Sequence, residues 1–302
     1  MSGLLNPAQC EAVLEGLPNG VYVVDLERKI LFWNKGAEQI TGYHGQEMVG
    51  RYCHDDLLMH CDHHHEPLCN ESCPLRDTMF DGKPRDADVY LRHKEGHRVP
   101  VRVRAVAVRD AEGAIVGAAE IFDERHDLPA LRMHPNAQAV HNHTDERTGV
   151  SDEASTRSYL DACLRDYEED HIPFGVLLIA IDGIERFRQS YGPQAVAKAL
   201  QIAATTLAKS LREGDIVGDW TENRFLALVV NCPAAALAEL VFKLKGVVGG
   251  AEIPWWGDRL TFKVLIDGAA VRPGDTPASL LARAEAALAA SGGKSENGGD
   301  AL

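Results

Sequence analysis

The chain has 302 residues, 45% of them hydrophobic and 25% charged, which is ordinary globular material with enough length for two cores. A formal net charge of −14 argues against broad electrostatic binding to nucleic acid or to an anionic membrane, both of which need clustered Lys and Arg. No apolar run reaches the length of a membrane span, and the opening MSGLLNPAQCEAVLEG lacks the basic, apolar and cleavage regions of a signal peptide, so a cytoplasmic location is expected.

In the first half, GVYVVDL and KILFWN read as two strands joined at a charged turn, followed by an amphipathic helix in KGAEQITGY. Farther on, RDADVYLRHKEGHRVPVRVRAVAVRDAEGAIVGAAEIF alternates strand and turn. Val99, Val101 and Val103 fall on one face there, with Arg98, Arg102 and Arg104 on the other, the period of a half-buried antiparallel strand. The turns KEGHR and DAEGA each place a Gly where a hairpin needs one. Two early strands, a helical middle and three late strands predict an antiparallel sheet with helices on one face, in an α+β fold.

These residues resemble a PAS sensor domain. The resemblance rests on GVYVVDLERKILFWNKGAEQITGYHGQEMVGR and HKEGHRVPVRVRAVAVRDAEGAIVGAAEIFDE and covers residues 11–124. It implies a sensory or dimerising module, which in some relatives holds haem, flavin or a small metabolite. Flavin of the light-sensing type is not expected, because GRYCHDDLL has the cysteine but not the polar and aromatic residues that follow it in those relatives.

Between the two matched blocks lies CHDDLLMHCDHHHEPLCNESCP, with Cys53, Cys61, Cys69 and Cys73 spaced C-x7-C-x7-C-x3-C. Seven cysteines in a chain without an export signal are expected to be reduced or metal-bound rather than paired. Four thiolates could close a tetrahedral zinc site or hold an iron–sulfur cluster. Cys53, Cys69 and Cys73 are the first candidates, and Cys61 and His60 compete for the fourth place. His60 and His64, four apart, would share a helical face, and haem with one axial ligand from His54, His60 or His63 is a further reading. Against all of these stands a metal-free polar loop, bracketed by Pro67 and Pro74, with its cysteines acting as small core hydrophobes.

ERHDLPALRMHPNAQAVHNHTD, with two prolines and no sustained period, predicts a linker over residues 125–144. A helix then starts at Ser151. PFGVLLIAID is a strand buried on both faces, and PQAVAKALQIAATTLAKSLRE a long helix. DIVGDWTENRFLALVVN reads as two strands around a tight turn, AAALAELVFKLKGVV as a helix, RLTFKVLIDGAAV as a strand and TPASLLARAEAALAA as a closing helix. The Gly-rich, polar end at residues 292–302 is expected to be disordered.

That order resembles the GGDEF domain of diguanylate cyclases over residues 145–291, a nucleotidyl-cyclase-like (ferredoxin-like) α/β sandwich. TDERTGV stands for the opening D-x-LTGL, LLIAID for the strand ending D-x-D, and LLARAEAALAA for the last helix. Active relatives join two GTP molecules using metal ions held by carboxylates and a turn that admits phosphate. Here the first metal-binding Asp is Ala180, while Asp182 remains. The usual FKxxND contacts are replaced at Ile184, Glu185, Arg188 and Gln189, and the closing Lys by Gly292. The signature turn is Thr221, Glu222, Asn223, Arg224 and Phe225, in place of Gly-Gly-Asp-Glu-Phe. Side chains thus stand where glycines let phosphate approach, and Asn and Arg where carboxylates belong.

The resemblance therefore implies a degenerate, catalytically inactive domain whose output is binding. Arg212 and Asp215 stand where product-inhibited relatives carry an RxxD site for cyclic di-GMP, with a helix-end charge and cap as the bland alternative. Glu222 as a displaced metal ligand is set against a solvated turn residue. A homodimer, and a protein partner in cyclic di-GMP signalling, are what the two families imply. The rival reading is an active diguanylate or related nucleotide cyclase under PAS control.

Overall fold

The computed structural model describes residues 6–55, 57–62, 66–125, 143–212, 214–221 and 223–293. The chain divides into two units, Met1–Arg125 and His126–Leu302. The core of the expected linker, residues 126–142, and the end of the tail, 294–302, lie outside the described residues. No helix among the described residues is long and apolar enough to cross a membrane.

The first unit opens with α1 (Pro7–Glu15), a helix beyond those expected from the sequence. Its start is set by a capping box in which Asn6 and Gln9 exchange side-chain and backbone hydrogen bonds, with Pro7 in the first turn. Strands β1 (Gly20–Asp25) and β2 (Ile30–Trp33) follow, then α2 (Lys35–Thr41), α3 (Gly45–Met48), α4 (Leu68–Glu71) and α5 (Pro74–Asp81), and finally β3 (Arg85–Arg92), β4 (Arg98–Arg109) and β5 (Ile115–Glu124). The sheet runs β2-β1-β5-β4-β3 and every pair is antiparallel. Gly96 and Gly113 both take positive φ at the two hairpin turns, as the turn chemistry requires. Tyr22, Val89, Val103 and Phe122 of the sheet pack with Met48, Leu58 and Leu75 of the helical middle into one core. This is the expected sheet with helices on one face.

Three local expectations are corrected. Arg98 is fully buried rather than solvent-facing, because the chain near Met59 covers this end of the hairpin and its carbonyl accepts a hydrogen bond from Arg98 Nη1 at 2.8 Å. The stretch from Pro67 to Pro74 is not an open loop: Pro67 caps α4 and Pro74 starts α5, positions where a missing N–H does no harm. His60 lies in a non-helical segment, where Cys61 bridges to Tyr90 on the sheet edge, so it has no helical face to share. His63 and His64 lie outside the described residues.

The second unit contains α6 (Glu153–Asp170), β6 (Phe174–Ile181), α7 (Ile184–Ser210), β7 (Ile216–Trp220), β8 (Arg224–Val230), α8 (Ala234–Gly249), β9 (Glu252–Trp255), β10 (Asp258–Thr261), β11 (Val264–Ala270) and α9 (Pro277–Gly293). The sheet order is β11-β6-β8-β7, again antiparallel. Helices α7 and α8 cover one face, through residues such as Ala199, Leu207 and Leu244 against Leu177, Ile179 and Phe225. Helices α6 and α9 cover the other, through Leu160, Leu280 and Ala284 against Val176, Leu178 and Leu226. Two helical layers around one sheet explain why β6 reads as an unbroken apolar run.

The expected single strand over RLTFKVLIDGAAV is two strands, β10 and β11, and β10 pairs with a β9 not foreseen. Helix α6 is capped by Asp152 rather than Ser151. Helix α7 begins nine residues before Pro193 and kinks at Gly192 (φ 83°), which relieves the clash Pro193 would make inside a straight helix. Helix α9 continues through Gly292.

Candidate functional site

In the first unit the cysteine-rich stretch folds back on the sheet. Cys53, His60, Cys69 and Cys73 line one closed cavity of about 10 Å³ together with Tyr22 of β1 and Glu120 of β5. Arg28 also lines it, and its Nη1 donates to the Cys69 carbonyl at 3.0 Å. Cys61 does not line the cavity. Its backbone is bridged to Tyr90 and its buried thiol lies in the field of Arg98. A space of this size admits one water or one ion, far below the hundreds of Å³ that an organic cofactor occupies.

The electrostatics of the cavity centre on one chain of groups. Tyr22 donates its hydroxyl proton to Glu120 Oε1 at 3.0 Å, and His60 Nε2 lies 3.6 Å from the same oxygen. Burial opposes a charged His60, but Glu120 and then Cys69 outweigh it and raise the imidazole above its ordinary value. Burial likewise opposes a Cys69 thiolate, and hydrogen bonds from His60 overcome it, so this thiol is lowered. Cys53 and Cys73 are raised, chiefly by burial. Glu120 had no local signal in the sequence. It is an acidic residue in the middle of a strand facing the core, and only the fold brings it to the cysteines.

In the second unit, the opening TDERTGV docks on the edge of β7. Asp145 Oδ1 accepts from the backbone N–H groups of Arg147 and Thr148, Gly149 takes φ 74°, and Asp219 N–H donates to the Ser151 carbonyl at 2.7 Å. Arg147 then reaches Asp219 at 2.7 Å, close to the signature hairpin. That hairpin closes between Trp220 and Arg224, with Asn223 left-handed at φ 62°, a conformation Asn tolerates. Glu222 lies outside the described residues. The sheet register places Ala180 directly opposite Arg224. Opposed residues share a face, so the two positions expected to carry carboxylates are neighbours, and they present a methyl and a guanidinium.

Asp182 lies past the end of β6, exposed, with its backbone N–H bonded to the Lys263 carbonyl at 2.9 Å. It borders an open cleft of about 320 Å³ with Arg186, Tyr191 and Lys263. The cleft therefore has one carboxylate beside two cations. Of the replaced FKxxND positions, Arg188 Nε pairs with Glu185 at 3.3 Å.

Arg212 and Asp215 are brought together, and much of their hydrogen bonding is spent internally. Arg212 Nε lies 3.4 Å from Asp215 Oδ1, Arg212 Nη2 donates to the Val230 carbonyl, and the Val230 N–H donates to Asp215 Oδ1 at 3.1 Å. The pair thus staples the α7–β7 loop to β8. It also borders a cavity of about 170 Å³ with Asn231 and Lys243. Burial pushes the Asp215 carboxyl up to about 6, although Arg212 and the Val230 N–H oppose this. An Asp in the unfolded chain titrates near 3.9, so the folded state binds the extra proton between about pH 4 and 6. The contribution of Asp215 to stability is then full below that window and falls by about 2–3 kcal/mol as pH rises through it. Urea midpoints of wild type and Asp215→Asn compared across pH 4–7 should differ by this fall; a difference that does not change with pH would remove Asp215 as its source.

Comparison with known proteins agrees with this layout. Residues 18–126 match the model of the PAS domain, and residues 142–298 match that of the diguanylate cyclase, GGDEF domain. Probable diguanylate cyclase DgcE of Escherichia coli K12 is 19% identical over 248 residues, 81% of this chain and 21% of that protein. Diguanylate cyclase DgcP of Pseudomonas aeruginosa is 23% identical over 215 residues, 70% of this chain and 30% of that protein. The chain thus spans less than a third of the length of either relative. Among solved structures, diguanylate cyclase SiaD of P. aeruginosa, crystallised with its activator SiaC, superposes with a TM-score of 0.50 at 18% identity, covering 52% of this chain and 61% of that one. With its matched region exceeding half the chain, this protein belongs to the GGDEF family, and its GGDEF domain follows a PAS domain.

Proposed function

We propose that this is a cytoplasmic signalling protein in which a PAS sensor controls a GGDEF domain that binds a guanine dinucleotide instead of making one. The observation that carries the reading is the Ala180–Arg224 register pair. A guanidinium at a position where a carboxylate is expected repels the cation that phosphoryl transfer needs, and Ala180, at the position of the first metal-binding Asp, offers no donor to compensate.

Binding is supported at the cavity beside Arg212 and Asp215, where Lys243 and Arg212 suit phosphates and Asp215 suits the N–H edge of guanine. The internal hydrogen bonds of the pair set a condition on that reading: cyclic di-GMP has to displace the Val230 carbonyl from Arg212. SiaD has an activator protein bound to it, which supports a protein partner as a second output, and the homodimer expected from both families belongs to the same reading.

Calorimetric titration with cyclic di-GMP tests the ligand. Binding in the micromolar range or tighter, weakened at least about tenfold in Arg212→Ala through loss of a charged hydrogen bond, is the expected result. Absence of heat at high ligand concentration in folded protein would sink the receptor reading and leave protein contact as the output.

A further inference from the structure

We propose that the PAS domain binds a single zinc-class divalent cation in the cavity between its sheet and helical middle, with Cys53, Cys69, Cys73 and His60 as ligands and Glu120 positioning the histidine.

Four donors from separate stretches of chain converge on this one cavity: Cys53 after α3, His60 in the irregular segment, Cys69 on α4 and Cys73 at the start of α5. All three thiols are free of disulfides. Thiolate with imidazole is the donor set of a four-coordinate borderline-soft ion, and it disfavours calcium and magnesium, which take oxygen ligands. The cavity volume of about 10 Å³ is on the scale of one ion rather than of a multi-atom cluster.

The carboxylate supplies a second, independent indication. The Glu120 side chain is 2% exposed, and a carboxylate removed from water needs compensating charge or hydrogen bonds. Tyr22 supplies one hydrogen bond. His60 Nε2 is buried without a hydrogen-bond partner and faces Glu120 from 3.6 Å. A proton on Nε2 donated to Glu120 leaves Nδ1 as the ligating nitrogen, the carboxylate–histidine–metal arrangement that fixes the ring and raises its basicity. Arg28 on the same wall offsets the charge of a site with several thiolates. Each thiol that ligates gives its proton to solvent, so metal uptake releases protons and no redox partner is needed.

Cys61, the alternative fourth ligand in the sequence, is held away by its bridge to Tyr90. Among the described residues, the donors meeting within 4.8 Å of one another are His93, Glu95 and His97, so an ion in the cysteine cavity would draw its ligands inward. Sulfurs around tetrahedral zinc lie about 3.8 Å apart, given zinc–sulfur bonds of about 2.3 Å. Cys53 and His60 lie in described chain with no helix or strand, tied to the sheet by isolated bridges such as Cys61 to Tyr90, so the ligands draw together by small local shifts while that bridge stays in place.

The test uses the full chain, stripped of metal under reducing, oxygen-free conditions and then titrated with Zn²⁺ against a chromophoric chelator and separately with Co²⁺. One equivalent of Zn²⁺ bound, with a thiolate-to-cobalt charge-transfer band in the Co²⁺ form, is expected. Cys69→Ser should weaken binding by at least tenfold and reduce the charge-transfer band. Glu120→Gln, which leaves all four ligands in place, should weaken binding about tenfold while keeping the band. Cys163→Ser, in the other unit, should change neither. Circular dichroism of each variant separates lost binding from lost fold. No bound metal in folded wild-type protein, binding that survives Cys69→Ser and Glu120→Gln but is lost in His93→Gln, or iron with stoichiometric sulfide in protein purified without oxygen would each overturn the proposal.

Discussion

Given GTP with magnesium or manganese, the protein is expected to release pyrophosphate at least about 10⁴-fold more slowly than a GGDEF domain with its carboxylates and glycines intact, since removal of single charge-stabilising groups commonly costs about 10²–10³ in rate. The estimate is not a sum of independent losses, because groups that hold the same metal fail together. Its physical basis is the face shared by Ala180 and Arg224, with Asp182 left as the carboxylate at the adjoining cleft. The same geometry fixes what repair would require. Arg224→Glu alone should not restore turnover, because Ala180 still provides no ligand and Thr221 still stands at a position where the family has Gly. Adding Ala180→Asp should raise metal affinity at this end of β6 before it raises turnover. Sustained cyclic di-GMP synthesis by the unmodified protein, abolished by Asp182→Asn, would overturn the inactive reading and make the protein a PAS-controlled cyclase.

The elements whose signal is local were legible in the sequence. An unbroken apolar run gave β6, and glycines at the tips of KEGHR and DAEGA gave the β3–β4 and β4–β5 hairpins, because burial on both faces and positive φ each leave a mark within a few residues. The failures came where distant chain decides. Arg98 fits the solvent face of an alternating strand, and only the return of the chain at Met59 buries it. Strands β9 and β10 are four residues each, too short for β9 to show a period and for the break between β10 and β11 to stand out. The same division holds at the sites. The cysteines and His60 announced themselves by density and spacing, but the choice between His60 and Cys61 depends on which one the Tyr90 bridge turns away. Glu120 is separated from Cys69 by 51 positions and meets it only because the helical middle packs against β5 of the sheet. Arg212 and Asp215 were visible as a pair, whereas their use of the Val230 backbone belongs to the register of β8.

Replacing Asn34 by Ala is expected to destabilise the PAS domain by about 3–5 kcal/mol, a larger loss than a helix cap alone explains. Asn34 has no exposed surface and its amide serves three elements at once. Oδ1 accepts from Ala37 N–H at 2.8 Å, capping α2, and from Val21 N–H at 2.8 Å, fixing the start of β1. Nδ2 donates to the carbonyls of Leu14 and Asn19, both at 2.9 Å, tying α1 and the following turn to the same point. Loss of the cap contributes about 1 kcal/mol, and each buried backbone group left without a partner adds about 1–3 kcal/mol where water cannot enter. Asn34→Ser separates these contributions: its hydroxyl can still cap α2 but cannot reach all four partners, so it should recover about 1 kcal/mol relative to Ala. Denaturant-dependent hydrogen exchange of the amides in β1 and α2, in the full chain, reads the PAS domain without interference from the GGDEF core. A loss below about 1 kcal/mol for Asn34→Ala would mean that water replaces the amide, and that α1 is not held to the sheet through Asn34.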